Sequence, residues 1–445
     1  MVKRGDDGVM MKKKAEEFLE FVEKSPSCYH VIDNFKNMLS EAGYIQIREE
    51  CNWDLQKGGK YYCIRGGSSI IAFAIPEEEY TNFQIVAAHS DAPTFNIKEN
   101  PELLTDGHYV ELNVEKYGGM IYSSWFDRPL SVAGRVVVKN NNTFESRLVN
   151  IDRDLLVIPN VAIHMSRDIN DGYKYNAQKD MIPIFGEAAS KNEFMKLVAK
   201  AADVNEQQLY GMDLYLYNRT KGSIWGACEE FISSPKIDDL ECAYTAMKAL
   251  LQASEPKAQS NKESVLVCAV FDNEEVGSQT KQGAASTFLY DVLTRIDEKN
   301  YRQTIATSFM LSADNGHAVH PHHLDKADPT NRPYMNEGVV IKYNANQKYT
   351  TDAVSAAVFK GICENAHIPV QSYVNRSDIA GGSTLGNISN GQVSLDTVDI
   401  GVAQLAMHSS YETAGVRDVT YMLDAMEAFY NTHLEKDERG FIRLK

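Results

Sequence analysis

A run of seven apolar residues, rich in valine, leads within a few positions into two adjacent glutamates. The run covers residues 265–271, and the glutamates are Glu274 and Glu275. Such a run is typical of a strand that is buried on both faces of a sheet, and open α/β sheets bind ligands at the carboxyl ends of such strands. Two adjacent carboxylates repel each other there unless a metal ion binds one and leaves the other free as a base. The run therefore predicts an α/β fold with a metal site at the sheet edge.

Helix and strand patterns alternate at both ends of the chain, but not in its middle. From about residue 92 to 235 the sequence has short alternating β-type segments and one helix-like stretch near 191–202. The β-type segments cover residues 109–114, 132–139, 155–163 and 214–217. We therefore predict an α/β/α sandwich domain with a mixed central sheet, formed by residues 1–92 and 236–445, and a β-rich inserted domain over 93–235.

Composition limits the partners of this chain. Its 445 residues favour more than one core. The formal net charge of −16 repels nucleic acid and anionic membranes, so we expect neither as a partner. An acidic substrate would also be repelled at long range, and its binding would require a local basic pocket.

The cysteines and the apolar segments indicate a cytoplasmic protein. Seven cysteines occur without a Cys-x-x-Cys pair, which is typical of reduced thiols rather than of a disulfide framework or a thiolate zinc site. The N-terminal residues lack the apolar run of a signal peptide. No stretch of eighteen apolar residues occurs, so we expect no helix that spans a membrane.

Imidazole and carboxylate side chains recur where the predicted strands and one helix begin or end. Most of them follow apolar runs, and a parallel sheet would gather these at one crevice. A set of histidines and carboxylates without thiolate favours catalytic zinc or a similar divalent ion. Two neighbouring ions need a carboxylate that they share. The N-terminus of a helix tolerates the negative charge of such a carboxylate. The candidates are His89, Asp238 before a helix, Glu274 with Glu275, Asp314 and His408.

Each candidate also has a simpler interpretation. Asp238 taken alone is best explained as a helix N-cap, and Asp314 as the cap of a turn. His89 or His408 alone is more often a hydrogen-bonded residue at a strand end, and the glutamate pair can be a solvated turn. Because all of them occur together at strand ends, a site for two metal ions is the better interpretation.

Six longer motifs resemble one known family. They are HSDAP at 89–93, GGMIYSSWFDR at 118–128, IPNVAIH at 158–164, DNEEVGS at 272–278, SAD at 312–314 and QLAMHS at 404–409. In this order they resemble the aspartyl aminopeptidases, the related vacuolar aminopeptidase I and their bacterial relatives. The resemblance implies a metallo-exopeptidase with two divalent ions, most simply Zn²⁺, with Co²⁺ or Mn²⁺ as alternatives. It also implies an inserted domain that serves dimerisation, and dimers that assemble into a dodecamer.

The resemblance also implies a role for each motif residue. One ion would be held by His89, Asp238 and Asp314, and the other by Asp238, Glu275 and His408. Glu274 would be the general base that acts on a metal-activated water. Asp91 would hydrogen-bond His89 and fix its ring. His164 would reach the active site of a neighbouring subunit and help to bind the substrate, although a buried histidine at a strand end is the alternative.

The resemblance predicts the hydrolytic reaction more clearly than it predicts which N-terminal residue is removed. Tyr411 stands where the aspartate-specific members carry arginine, and residues 409–412 are more similar to the bacterial aminopeptidase I branch. The removed N-terminal residue is therefore expected to be acidic or neutral. Lys342 could provide a positive charge for an acidic side chain, and an exposed strand lysine is the equal alternative.

Three other functions compete with an aminopeptidase. A dinuclear carboxypeptidase or deacylase would need an arginine or a similar clamp for the substrate carboxylate. A non-catalytic assembly protein on the same fold would be expected to have lost a ligand or the base. A glycosidase that uses Glu274 and Glu275 is disfavoured, because adjacent strand residues point to opposite faces whereas its two acids must flank one bond.

Overall fold

A computed structural model describes residues 6–255, 263–437 and 439–445 of the chain. Its α-helices are α1 (Asp6–Glu23), α2 (Cys28–Glu41), α3 (Ala177–Asp180), α4 (Phe194–Ala201), α5 (Ile237–Ala253), α6 (Phe288–Ile296), α7 (Tyr301–Ala306), α8 (Ala353–Asn365), α9 (Leu385–Ser389) and α10 (Val416–Asn431).

The longest strands lie between residues 94 and 218. They are β1 (Ile45–Gln46), β2 (Lys60–Arg65), β3 (Ser69–Ala74), β4 (Asn82–His89), β5 (Thr94–Thr105), β6 (Tyr109–Tyr117), β7 (Leu130–Asn140), β8 (Thr143–Asn150), β9 (Ile184–Glu187), β10 (Leu209–Asn218), β11 (Ser223–Trp225), β12 (Phe231–Ser234), β13 (Ser264–Phe271), β14 (Phe309–Ala313), β15 (Gly316–His317), β16 (Val339–Tyr343), β17 (Val370–Val374), β18 (Asp396–Gly401), β19 (Ala403–Leu405), β20 (Glu412–Gly415), β21 (Leu434–Lys436) and β22 (Ile442–Leu444).

The central sheet has nine strands in the order β1-β2-β3-β13-β4-β14-β18-β16-β17. The four middle strands, β13, β4, β14 and β18, are parallel to one another, whereas β3 and β16 pair with them in the antiparallel sense. His89 is the Cα partner of Phe271, so β4 and β13 end at the same level of the sheet. The middle of this sheet therefore brings several carboxyl ends to one edge.

Helices cover both faces of the central sheet. Along β4, Val86 and Ala88 belong to one core with residues of α1, α2, α5, α8 and α10, and Ile85 and Ala87 belong to a second core with residues of α6 and α9. Because the middle strands are apolar on both faces, each needs a helical layer above and below. The predicted α/β/α sandwich with a mixed central sheet is confirmed.

A second sheet has six strands in the order β8-β7-β10-β5-β6-β9, and all of its pairs are antiparallel. It has a core of its own, to which Phe194 and Val198 of α4 contribute. Its strands lie between residues 94 and 218, whereas β11 and β12 pair with each other and β12 pairs with β20. The division of the chain at residues 92/93 and 235/236 stays a prediction.

One local expectation was wrong. The segment 155–163 is not a regular strand, because only Leu156, Val157 and Ile158 form isolated bridges and a turn follows them. The asparagine run at 140–142 forms the hairpin tip between β7 and β8, where Asn140 pairs with Thr143. Among the described residues, no helix is long and apolar enough to cross a membrane.

Candidate metal centre

Two neighbouring strands place His89 and the glutamate pair. His89 is the last residue of β4, and the chain after β13 turns sharply at Asn273, whose backbone is left-handed with φ 62°. A short 3₁₀ turn over Glu274–Val276 follows, and Gly277 closes it with φ 97°. This turn presents the two glutamates beside His89. One carboxylate oxygen of Glu274, one of Glu275 and one ring nitrogen of His89 all lie within 4.8 Å of one another.

Asp238 lies between two histidines. Its Oδ1 is 3.5 Å from Nε2 of His89, and its Oδ2 is 3.4 Å from Nε2 of His408. The backbone of Asp238 is not helical, although it lies in the first turn of α5, and its N–H donates to Oε2 of Glu412 at 3.0 Å. The carboxylate therefore faces the histidines instead of capping the helix, and each of its oxygens can serve a different ion.

His408 reaches the site from a different sheet than the sequence suggested. The chain leaves the central sheet at Gly401, where β18 ends, and β19 joins a five-stranded sheet of order β11-β12-β20-β19-β15. The expectation that His408 directly follows a strand was wrong, because β19 ends at Leu405 and a loop carries the histidine. Glu412 fixes that loop by accepting the N–H of His408 at 2.7 Å, and Nε2 of His408 is 3.5 Å from Oε2 of Glu275.

Asp314 follows β14 at the same edge of the sheet and is buried. Together with His89 and Asp238 it forms a group whose potential ligand atoms all lie within 4.8 Å of one another. Its Oδ1 is 3.6 Å from the ammonium of Lys342, which is only 2% exposed. The alternative that Lys342 is an exposed strand lysine was therefore wrong.

Asp91 makes more contacts than the sequence indicated. Its carboxylate lies 3.3 Å from Nδ1 of His89, and its backbone oxygen is 3.1 Å from the same nitrogen. Its two carboxylate oxygens also accept the backbone N–H groups of Glu274 and Glu275, at 3.1 and 3.2 Å. One side chain thus connects a histidine of the cluster to the turn that carries both glutamates.

The cluster carries an excess of buried acid. Burial, reinforced by Asp314 and Asp91 and opposed by His89, raises the pKa of Glu274 to about 8. Burial and Asp238 raise the pKa of Glu275 well above its usual range. Burial would also raise the pKa of Asp238, but the neighbouring imidazoles of His408 and His89 lower it below its usual range. A divalent cation would relieve this crowding of negative charge.

Unpartnered oxygens show that the residues fit a metal. Oδ1 of Asp238 and Oε1 of Glu275 are buried and have no hydrogen-bond partner in the described part of the chain. Such atoms are rare in folded proteins unless an ion or a water binds them. The donors are imidazole nitrogens and carboxylate oxygens with one or more open positions, which suits catalytic zinc. The cluster can therefore hold a divalent metal ion.

Two residues of the centre were missed by the sequence reasoning. Asp239 is fully buried, belongs to the same group as His89, Asp238 and Asp314, and accepts the N–H of His89 at 3.2 Å. Glu412 holds the backbone of both Asp238 and His408. The adjacent acidic pair at 238–239 was the only local signal, since the role of Glu412 depends on contacts that are distant in sequence.

His164 lies apart from the metal cluster within the described chain. It is exposed on a turn, and its neighbours Val161, Ile163 and Met165 are 56%, 48% and 78% exposed. The alternative that His164 is buried at a strand end was therefore wrong. An exposed apolar loop of this kind is typical of a surface that contacts another molecule.

The sequence profile of the family described as aminopeptidase I zinc metalloprotease (M18) matches residues 21–430. The chain belongs to the M18 family. It is a zinc-dependent aminopeptidase, a hydrolase that removes N-terminal residues from peptides. This assignment confirms the resemblance of the six motifs and disfavours the carboxypeptidase and the non-catalytic alternatives.

Similar M18 proteins cover nearly the whole chain. It is 45% identical over 433 residues to the probable M18 family aminopeptidase 2 of Clostridium novyi, across 94% of this chain and 99% of that protein. It is 34% identical to the aspartyl aminopeptidase of Dictyostelium discoideum, across 95% and 97%.

Solved structures have the same fold. Ape4, in a complex with Nbr1, has a TM-score of 0.93 at 34% identity, across 97% of this chain and 88% of that chain. The S. cerevisiae mApe1 dodecamer has a TM-score of 0.83 at 27% identity, across 94% and 96%.

Proposed function

We propose that this M18 aminopeptidase works with two zinc ions that share Asp238. The observation that carries the proposal is the orientation of this carboxylate, whose two oxygens face His89 and His408 separately. Single-ion sites need no such bridge, whereas paired catalytic ions are commonly joined by one carboxylate. His89 and Asp314 would complete the first site, and Glu275 and His408 the second.

Glu274 is the residue proposed to move protons. When bound, the ions would supply positive charge that acidifies a water and polarises the peptide carbonyl. Glu274 belongs to the turn beside the cluster and is not needed as a ligand in either site. In the metal-free chain burial raises the pKa of Glu274 to about 8. The bound ions would lower this pKa, so that the carboxylate can accept a proton from that water and pass it to the leaving amine. Asp91 would hold His89 and the turn in place during this transfer.

The family assignment supports cleavage at the amino end of a peptide over a dinuclear carboxypeptidase. The carboxylates of Asp238, Glu274, Glu275 and Asp314 surround the proposed ions, whose positive charge would offset theirs. Lys342 contacts this set through Asp314.

Lys342 is also the proposed basis for accepting acidic N-terminal residues. It is buried and charged, since the pKa of its ammonium is raised by Asp314 despite the opposing effect of burial. A fixed cation beside the cluster can pair with an aspartyl or glutamyl side chain. The relative from Dictyostelium discoideum is named an aspartyl aminopeptidase, in agreement with this specificity.

The proposed assembly is a dodecamer built from dimers, in the cytoplasm. The related S. cerevisiae protein was solved as a dodecamer, and the exposed apolar loop at 161–165 offers a surface for a second copy. In that arrangement His164 would enter the active site of a neighbouring subunit. None of the seven cysteines, all of which lie in the described part of the chain, forms a disulfide, which agrees with a reducing compartment.

A zinc titration of chelator-stripped protein tests the proposed function. Wild-type protein and Glu274→Gln should each bind two zinc ions per chain, because Glu274 is not a ligand. Only the wild type should hydrolyse aminoacyl chromogenic substrates, and the variant should lose at least about a thousandfold in kcat, the upper part of the range for a general base. Substrates with an acetylated N-terminus should resist cleavage.

Either of two results would contradict the proposal. Full activity at one zinc ion per chain would exclude the shared-carboxylate arrangement. Turnover by zinc-saturated Glu274→Gln at a rate near that of the wild type would remove Glu274 from its role.

A further inference from the structure

The segment that follows β6 passes close to the metal cluster at several points. The backbone of Gly118 lies so close to Glu275 that a Cβ at this glycine would be 3.1 Å from Cβ of Glu275. Farther along, the N–H of Ile121 donates to the carbonyl of His408 at 3.0 Å, and Oγ of Ser124 accepts the N–H of Ser410 at 2.8 Å. The segment that follows β6 is therefore part of the wall around the cluster.

Tyr117 is the last residue of β6, directly before this segment, and it contacts two polar groups of the site. Its hydroxyl donates to Oδ2 of Asp91 at 2.6 Å. The hydroxyl oxygen of Tyr117 accepts a hydrogen bond from the side-chain amide of Asn273 at 2.8 Å. The other end of that amide accepts from Thr280 and Gln282, at 2.7 and 3.1 Å, which fixes its orientation. The phenol thus has both a defined acceptor and a defined donor.

Both partners of Tyr117 control the glutamate turn. Asp91 accepts the backbone N–H groups of Glu274 and Glu275 and lies beside His89. Asn273 is the left-handed residue that starts the turn. Loss of the phenol hydroxyl would remove one of the hydrogen bonds that orient Asp91 and Asn273, and this would weaken a support shared by the turn and the histidine ring.

We infer that Tyr117 is a positioning residue for catalysis: through Asp91 and Asn273 it holds the proposed base Glu274, and His89, in their working orientation. The inference rests on the proposed function for the roles of Glu274 and His89. Tyr117 belongs to none of the groups that could hold a metal ion, and its hydroxyl is bonded to Asp91 and Asn273. Removal of this hydroxyl should therefore affect turnover and zinc affinity rather than substrate affinity.

The test compares Tyr117→Phe with a matched control, Tyr217→Phe. Tyr217 lies in β10 of the same sheet, is equally half-buried, and donates its phenol proton to Asn150 at 2.8 Å, away from Asp91. We expect Tyr117→Phe to lower kcat at saturating zinc, or to raise the zinc dissociation constant, by about 10- to 100-fold, as for other residues that support metal ligands. KM should stay within about threefold, and Tyr217→Phe should change none of these quantities.

Zinc affinity is measured by competition with a chromophoric chelator, independently of any activity. The inference is overturned if kcat and the zinc dissociation constant of Tyr117→Phe both stay within threefold of wild type, whatever the melting temperature. A rise in KM alone, or equal losses in Tyr217→Phe, also overturns it. If the wild type proves mononuclear, the proposed function fails while the comparison of the two variants still gives an answer.

Discussion

At the scale of single residues, Lys342 contacts a proposed metal ligand and is also the proposed contact for acidic substrate side chains. Its ammonium is 3.6 Å from Asp314, a proposed ligand, and lies 5.4 Å from the centre of the Tyr349 ring. An ammonium that only balances Asp314 would support every substrate equally. An ammonium that also contacts the substrate would discriminate between side chains, because a buried charge left without its partner is costly.

Replacement of Lys342 by methionine separates these roles while keeping most of the aliphatic length. We expect Lys342→Met to reduce kcat/KM for aspartyl and glutamyl substrates at least about tenfold more than for leucyl substrates, the effect of one charged hydrogen bond. The measurement is a set of kcat/KM values at saturating zinc. An equal loss for acidic and leucyl substrates would restrict Lys342 to the support of Asp314.

At the scale of elements, the helix α10 begins against a buried carboxylate. Asp418 lies in its first turn, is fully buried, and accepts the N–H groups of Asn336 and Gly338 at 2.5 and 3.2 Å. Burial raises the pKa of Asp418 to about 7 despite these hydrogen bonds. Between pH 4 and 7 the folded chain therefore retains a proton at this position that the unfolded chain has lost.

This difference in proton binding sets the direction in which stability changes with pH. Since the folded state binds the extra proton, the contribution of Asp418 to stability falls as pH rises from about 4 to about 7, by at most about 1.4 kcal/mol per pH unit. Asp418→Asn removes the titration, so the stability of wild type relative to this variant should be greater at pH 5 than at pH 8. Thermal melting of the metal-free proteins tests this.

Asp424→Asn serves as the control for Asp418→Asn. Asp424 is on the same helix, but its side chain is 44% exposed and pairs with Lys14. If wild type and Asp418→Asn keep the same difference in melting temperature at both pH values, the buried carboxyl does not titrate in this range.

The strands and the residues directly after them could be predicted from the sequence, whereas longer connections could not. His89 and Asp314 follow apolar runs that form middle strands of the sheet, so their common edge followed from the pattern. The run before His408 gave no sign that its chain would leave the central sheet after Gly401. Glu412 was missed because its contact with the N–H of Asp238 joins residues 174 positions apart.

At the scale of the whole molecule, the exposed position of His164 leads us to expect that neighbouring subunits share active sites. In one chain it is exposed on the loop with Val161, Ile163 and Met165 and belongs to none of the metal-binding groups. If a second copy covers this loop, His164→Ala in one subunit should impair the site of another. Such a defect can be complemented by a subunit that is itself inactive.

Co-expression of His164→Ala with Glu274→Gln tests this sharing. Each variant alone should have low activity. Random mixing should restore about a quarter of the wild-type activity, because one site in four then combines an intact Glu274 with an intact His164 from its neighbour. Light scattering should give the same mass for the mixed and the wild-type assemblies. Activity of the mixture no greater than the average of the two variants would place His164 outside the shared site.

The five proposed ligands come from widely separated parts of the chain, and His408 is the last of them to leave the ribosome. A nascent polypeptide that already contains His89 and the glutamate turn still lacks the histidine that faces Asp238 and Glu275. If His408 holds one of the two ions as proposed, hydrolytic activity would arise only late in synthesis. A truncated translation product that ends before His408 would then leave the peptides around it uncleaved.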